Sequence, residues 1–383
     1  MNVTFRDVMG DLDGKGDIDC SNKSLTSLEG CPEIVEGDFN CSGNQLTTLE
    51  RGPHKIGGDF CCSENQLTSL EGGPDDVHGD FDCANNLMSS LNGSPKKING
   101  YFDCSGNQLR TLDGMPHKIS GDFCCSNNQL TSLKSCPEKV EDFDCSHNQL
   151  TSLEGCPEKV GDFDCSNNKL TSLVGCPEKV VRDFDCSYNQ ITSLASGLDI
   201  IVIGDFFCND NQLLSLNGCP IRVFGNFDCS NNLLTSLKRA PKIVDGYFIC
   251  SGNQLTSLKA SPEEVRDCNC SNNLLTSLDG APKKVKGNFD CSHNHLISLK
   301  GTLKKVKGNF DCSNNQLISL KGTPKKIKGN FDCSNNLLTA LDGSLKKVGG
   351  NFICGENPGV FNEAQVRSEY DVKGNVTAPD VMP

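Results

Sequence analysis

A chain of 383 residues is long enough for two or three compact domains, but its composition argues against an ordinary globular core: 36% hydrophobic residues, 19 Phe and 4 Tyr with no Trp, and 38 Gly. Polar residues interrupt the apolar ones every few positions, so no stretch approaches the roughly 20 apolar residues of a membrane span. A formal net charge of −13 and an N-terminus without a basic segment leading into an apolar one set the expectation of a cytoplasmic protein with no membrane role.

Residues 1–16 carry no repeat and are expected to cap the first repeating unit. From Asp17 onward a Cys recurs at 20, 41, 62, 83, 104, 125, 145, 165, 186, 208, 229, 250, 270, 291, 312, 333 and 354, at intervals of 20, 21 or once 22 residues. An odd total of 25 Cys without a secretory leader argues for reduced thiols rather than a disulfide framework. A fixed period near 20 marks a solenoid, whose units bury their apolar faces only by stacking. In the unit Val140–Lys159, alternation over Phe143, Asp144 and Cys145 predicts a short strand with Phe and Cys inward. Asn148 then turns the chain, with a side chain able to satisfy backbone groups of the bend. Phe fills its column in 15 of 17 units, Ile18 and Cys268 being the exceptions. The cysteines are expected to pack as small buried hydrophobes, and no C-x-x-C pair suggests a metal site.

Further along, residues 196–203 replace the usual loop with Ser-Gly-Leu-Asp-Ile-Ile-Val-Ile. Four successive β-branched residues there would extend the core or leave a patch for self-association. Residues 281–350 hold 13 Lys against four acids, a ridge of loops before the strands. Phe361–Tyr370 is expected to form a short amphipathic helix over Phe352 and Cys354 of the last unit.

The spacing V-x-x-F-x-C-x-x-N-x-L-x-x-L resembles the leucine-rich repeat signature, with Val, Phe and Cys at its first three apolar positions. The unit length and Pro137, Pro157 and Pro177 resemble the short bacterial type, and the repeat wording resembles arrays encoded by tailed bacteriophages. This resemblance implies a leucine-rich repeat solenoid of about 17 coils, with one curved parallel β-sheet on its concave face and few or no helices except a short C-terminal cap. The boundaries expected are an N-terminal cap over 1–16, the solenoid over 17–358 and a C-terminal cap and tail over 359–383. The enzymes among bacterial short-repeat proteins carry a separate ligase domain after their repeats, so the resemblance implies a recognition module and no activity.

The residues on either side of each inward Phe should face solvent, and Asp occupies 20 of these 34 positions. Asp142, Asp144, Asp162, Asp164, Asp183, Asp185 and Asp205 belong to this grid, where close carboxylates repel unless a cation or basic surface answers them. Departures from a 17-fold pattern are not required by stacking and so point to a specific site. Phe207, Tyr247 and Ile249 break the columns close together, with Tyr188 just beyond a neighbouring strand. Exposed apolar groups in an acidic field are what an interface hot spot looks like. The expected function is therefore non-enzymatic capture of a basic protein partner on the concave face. Its specific form would be a phage product that sequesters or inhibits a host factor in the host cytoplasm, in one version by nucleic-acid mimicry. The alternative is a structural or adhesive solenoid, favoured by hydroxyl columns such as Thr131-Ser132 and Thr151-Ser152. Nucleic-acid binding by the lysine ridge is disfavoured because no aromatics interleave with the lysines. No catalytic constellation, cofactor motif or calcium-binding repeat is found, and His293 and His295 lack a third ligand.

Overall fold

The computed structural model describes residues 3–195, 202–301, 303 and 305–378. The chain forms two compact units, Met1–Asn189 and Gln190–Pro383. Numbering coils by their column cysteine, unit 1 holds coils 1–9 (Cys20 to Cys186) and unit 2 holds coils 10–17 (Cys208 to Cys354).

Coil 7 shows how the sequence closes each turn. Phe143–Asp144 is a two-residue strand, with Phe143 and Cys145 buried and Asp144 between them half-exposed. His147 then takes a left-handed conformation at φ 52°, as does the equivalent residue of every coil, usually Asn or Gly. That bend aims Asn148 inward, where its side-chain amide donates to the carbonyls of Cys125, Cys145 and Ser146 at 3.0, 3.2 and 3.0 Å. Its Oδ1 accepts the Leu130 N–H at 2.9 Å. One buried Asn thus joins two coils and satisfies backbone groups that have no partner in a regular ladder. Leu150 and Leu153 are fully buried. Ser152 accepts the Glu154 N–H at 3.1 Å, and Gly155 at φ 93° turns the chain where a Cβ would lie 2.7 Å from the Leu133 carbonyl. In most coils a second two-residue strand follows, such as Lys159–Val160 with Val160 buried. Coil 7 has no such strand before its Phe, and Val140 there is only half-buried.

In unit 1 the Phe strands pair in parallel with their nearest neighbours, from Ile18–Asp19 on Phe39–Asn40 to Phe163–Asp164 on Phe184–Asp185, each Phe in register with the next. In unit 2 the same ladder runs from Phe206–Phe207 to Phe352–Ile353 and adds Val376–Thr377 as its last strand. Successive rings stack, with centroids 5.4 Å apart for Phe123 and Phe143 and 5.7 Å for Phe310 and Phe331. Each buried Phe contributes roughly 1.5–3 kcal/mol of burial before its stacking is counted. The 17 column cysteines are all buried, and several of their thiols donate to a carbonyl of the next coil, as Cys83 does to Asp103 at 3.2 Å and Cys291 to Asp311 at 3.2 Å.

A short helix accompanies the first coil of unit 1 and another the last coil of unit 2. In unit 1 a five-residue helix α1 (Phe5–Met9), closed by a Thr4–Asp7 capping box, inserts Phe5 against Phe39 at 6.3 Å. This helix was not expected, because five residues give no readable helical period. In unit 2 helix α2 (Glu363–Glu369) starts from an Asn362–Gln365 capping box. Tyr370 stacks on Phe352 at 5.3 Å and donates its hydroxyl to the Leu341 carbonyl. Of the irregular stretch 196–203, residues 196–201 lie outside the described residues; Val202 is buried and Ile203 exposed.

Candidate protein-interaction surface

The two solvent-facing columns of the sheet differ in what their polar atoms do. In the column before Phe, Asp and Asn side chains accept the backbone N–H of the same position in the next coil within each unit. Asp142 accepts from Asp162 at 2.8 Å and Asp162 from Asp183 at 2.9 Å. In unit 2 Asp205 accepts from Asn226 at 2.7 Å and Asn288 from Asn309 at 2.8 Å. In the column after Phe, the side chain accepts the N–H two residues on: Asp144 from Ser146, Asp164 from Ser166 and Asp185 from Ser187, each at 2.8 Å. Asn40 and Asn269 make the same bond at 3.0 Å. Asp and Asn are interchangeable in both roles because only one side-chain oxygen is used.

The grid is therefore answered partly from inside the fold, where a basic partner had been expected to answer it. Arg182 adds a further internal counter-charge, its Nε 3.1 Å from Asp162 and its terminal nitrogen on Asp142. Its role was not read from the sequence; the signal was a basic residue directly before an acidic column. The column after Phe keeps more unbalanced charge. Asp144, Asp164 and Asp185 stand in register on coils 7–9. Burial, opposed by the Ser166 hydrogen bonds and reinforced by Asp185 and Asp144, pushes the Asp164 carboxyl up to about 6. Burial, with Asp144 adding to it, raises Asp185 as well. Tyr188, at φ 52° in the left-handed bend of coil 9, is 54% exposed.

In unit 2 Phe207 and Ile249 occupy the column after Phe on coils 10 and 12, in register with Asp228 between them. That places them about 10 Å apart at two strand spacings, both half-buried. Tyr247 lies two residues before Ile249 on the same strand and same face. Its N–H donates to Asn226 Oδ1 at 2.9 Å, and the Arg266 guanidinium covers its ring at 5.4 Å. Asp205, Asp228 and Asp267 surround this apolar group. Tyr188 belongs to unit 1 and the other three to unit 2.

Among the described residues no group of three or more His, Cys, Asp or Glu is arranged to hold a metal ion, and no helix is long and apolar enough to cross a membrane. The serine hydroxyls of the expected surface array are engaged: Ser132 accepts the Lys134 N–H and Ser152 the Glu154 N–H, both at 3.1 Å. The lysine ridge is partly neutralised by Lys283–Glu263 at 2.8 Å and by Lys284 and Lys286 on Glu264 at 3.0 Å.

A repeat of about 21 residues, a parallel strand in every coil and a buried asparagine hub define a leucine-rich repeat solenoid. YopM from Yersinia enterocolitica WA-314 matches at a TM-score of 0.68 and 22% identity, over 95% of this chain and 89% of that one. YopM from Yersinia pestis, a leucine-rich effector protein, matches at 0.50 and 20% identity, over 94% and 88%. The functional domain of InlJ from Listeria monocytogenes, which includes a cysteine ladder, matches at 0.48 and 19% identity, over 80% and 75%. No family model matches the sequence, and no curated protein matches it.

Proposed function

We propose that this protein is a non-enzymatic binding scaffold that captures a basic protein partner on its sheet face. The observation that carries the proposal is the Phe207–Asp228–Ile249 row with Tyr247 beside it. Stacking requires no apolar side chain at these positions, since Asp and Asn serve there in most coils. An apolar anchor ringed by carboxylates suits a partner that presents an aliphatic or aromatic side chain among Lys or Arg. The Asp144, Asp164 and Asp185 row of unit 1 offers a second charged contact. Ordered carboxylates at strand spacing also suit a mimic of nucleic acid directed at a DNA-binding protein. The resemblance of the repeat to phage-encoded arrays supports a partner in the cytoplasm of a bacterial host.

The test is capture from a bacterial lysate with the full chain, a Phe207→Ala/Ile249→Ala variant and an Asp144→Asn/Asp164→Asn/Asp185→Asn variant. The Asn variant keeps the backbone bond that Asn40 and Asn269 already make. A protein retained by the parent, lost by the Ala variant and released by salt is the expected result. A partner held equally by all three proteins removes the sheet face from the reading, and no specific partner leaves the structural solenoid.

A further inference from the structure

Unit 2 carries a second surface, separate from the sheet face. After the buried Asn, two leucines point inward in each coil, so the residues four and six positions past the column cysteine face solvent. In unit 1 these are mostly Gln and Thr, for example Gln129 and Thr131. In six coils of unit 2 one of the two is apolar, Leu233, Leu274 and Leu337 at the fourth position and Leu214, Ile297 and Ile318 at the sixth, between 41% and 65% exposed. Leu274, Ile297, Ile318 and Leu337 occupy successive coils 13–16, whose backbones stay in register through Gln316 N to Leu296 O and Leu337 N to Leu317 O, at 3.0 and 2.9 Å. This apolar stripe extends about 14 Å along the stack over two adjacent columns, Ile297 and Ile318 in one and Leu274 and Leu337 in the other. Thr stands at the Ile297 and Ile318 positions in most other coils, so the fold does not demand these isoleucines.

Beside the stripe runs a row in which lysines outnumber acids. The residue nine positions past the column cysteine is Lys238, Lys259, Lys300 and Lys321 in four coils of unit 2 and Asp279 and Asp342 in two others, where unit 1 has Glu29, Glu50, Glu71, Asp113 and Glu154 against one lysine, Lys134. A serine hydroxyl two residues earlier accepts the N–H of each, at 3.1 Å for Lys238, 3.2 Å for Lys259, 3.1 Å for Lys300 and 3.3 Å for Lys321. The row therefore has a fixed position relative to the stripe. Leu214, Ser215, Asn217, Ser236, Lys238 and Arg239 line one hollow of about 410 Å³, which places apolar and basic side chains on a common wall. Lys321 pairs with Asp342 at 3.1 Å; among the described residues no ion pair answers Lys238, Lys259 or Lys300.

We infer that this surface docks an acidic amphipathic helix of a partner protein, laid along the coil stack. A helix advances about 5.4 Å per turn, close to the coil spacing of about 4.8 Å. Residues at i, i+4 and i+7 of such a helix set one apolar side chain on each coil. Glu or Asp on its flank then meets the lysine row. An anionic bilayer would also attract the lysines, but interfacial anchoring favours Trp and Tyr. The chain has no Trp, and its tyrosines at 101, 188, 247 and 370 lie off the stripe.

The probe is a labelled synthetic helix of about 18 residues, leucine at every third or fourth position and glutamate on the flanks, titrated into the full chain by fluorescence anisotropy. A scrambled peptide of the same composition is the control. The parent should bind the helix roughly tenfold or more tightly than the scramble. Ile297→Thr/Ile318→Thr, which restores the residue most coils carry, should cost a similar factor with an unchanged circular dichroism spectrum. Lys259→Glu/Lys300→Glu should weaken binding and flatten its salt dependence. Equal affinity for helix and scramble, or an unchanged Ile297→Thr/Ile318→Thr variant, overturns the inference. So does binding to phosphatidylcholine vesicles with roughly one-fifth phosphatidylserine, or dimerisation in the ultracentrifuge, if either is lost in that variant while no helix binds. These variants leave Phe207 and Ile249 intact, so failure here does not touch the sheet-face proposal.

Discussion

The two units share one interior and differ at their surfaces. Both stack Phe on Phe and close each coil with a buried Asn hub, whose bonds have the same lengths around Asn148 and Asn294 within 0.1 Å. Outside, residues 1–189 carry 15 Lys and Arg against 31 Asp and Glu, whereas residues 190–383 carry 21 against 18. At the solvent-facing positions after the hub, unit 1 presents mostly Gln and Thr, with Leu87 an exposed exception, whereas six coils of unit 2 each present one Leu or Ile. Because a solenoid coil touches only its neighbours, its outward residues change without disturbing the stack. Surface differences between the units therefore report on what each meets, while the asparagine hub should be equivalent in both.

The strongest way to break that comparison is to remove the same hub from each unit. Asn148→Ala and Asn294→Ala each leave one buried leucine N–H and three carbonyls short of a partner, so each should destabilise its unit by about 2–4 kcal/mol. Urea denaturation followed by hydrogen exchange in each unit checks this. A loss confined to one unit would show that the interiors are not equivalent.

A smaller effect should separate the acidic faces. A carboxyl whose folded pKa is raised binds more protons folded than unfolded, so its contribution to stability improves as pH falls through the folded value. With Asp164 at about 6, unit 1 should gain stability between pH 7 and pH 5. Asp164→Asn should raise stability at pH 7 and flatten that slope, since Asn keeps the bond to the Ser166 N–H. Thermal melts across this range test it, and an unchanged slope would mean that the buried carboxylate row is solvated after all.

The smallest effect concerns Tyr188. At φ 52° it occupies a left-handed bend that other coils fill mostly with Asn or Gly, and Asn tolerates this conformation better than an aromatic residue does. Tyr188→Asn should stabilise unit 1 by about 0.5–1 kcal/mol, read as a rise in the melting midpoint. A loss of stability would show that the exposed ring makes a compensating contact.

The coil was legible because its determinants lie close in sequence. The 20–21-residue period, the inward Phe143 and Cys145 and the Asn148 turn can all be read within one unit. Helix α1 escaped because five residues carry no period. The breaks at Phe207, Tyr247 and Ile249 were visible as departures from a column, whereas the Leu and Ile stripe was hidden among leucines that are mostly interior. Only an account of which leucine faces in, Leu296 buried and Ile297 exposed, separates the two.

The sequence by itself determined the repeat, the buried columns and the uneven charge, because a regular period exposes every position to comparison with its equivalents. What the aspartates do was decided by tertiary structure. An Asp in the column before Phe is a free charge or a backbone acceptor depending on the N–H of a residue 20 or 21 positions away, and stacking brings Asp162 N to 2.8 Å from Asp142 Oδ1. The same stacking set Ile297 beside Ile318, since neighbours across coils are made by the fold and not by adjacency in the chain.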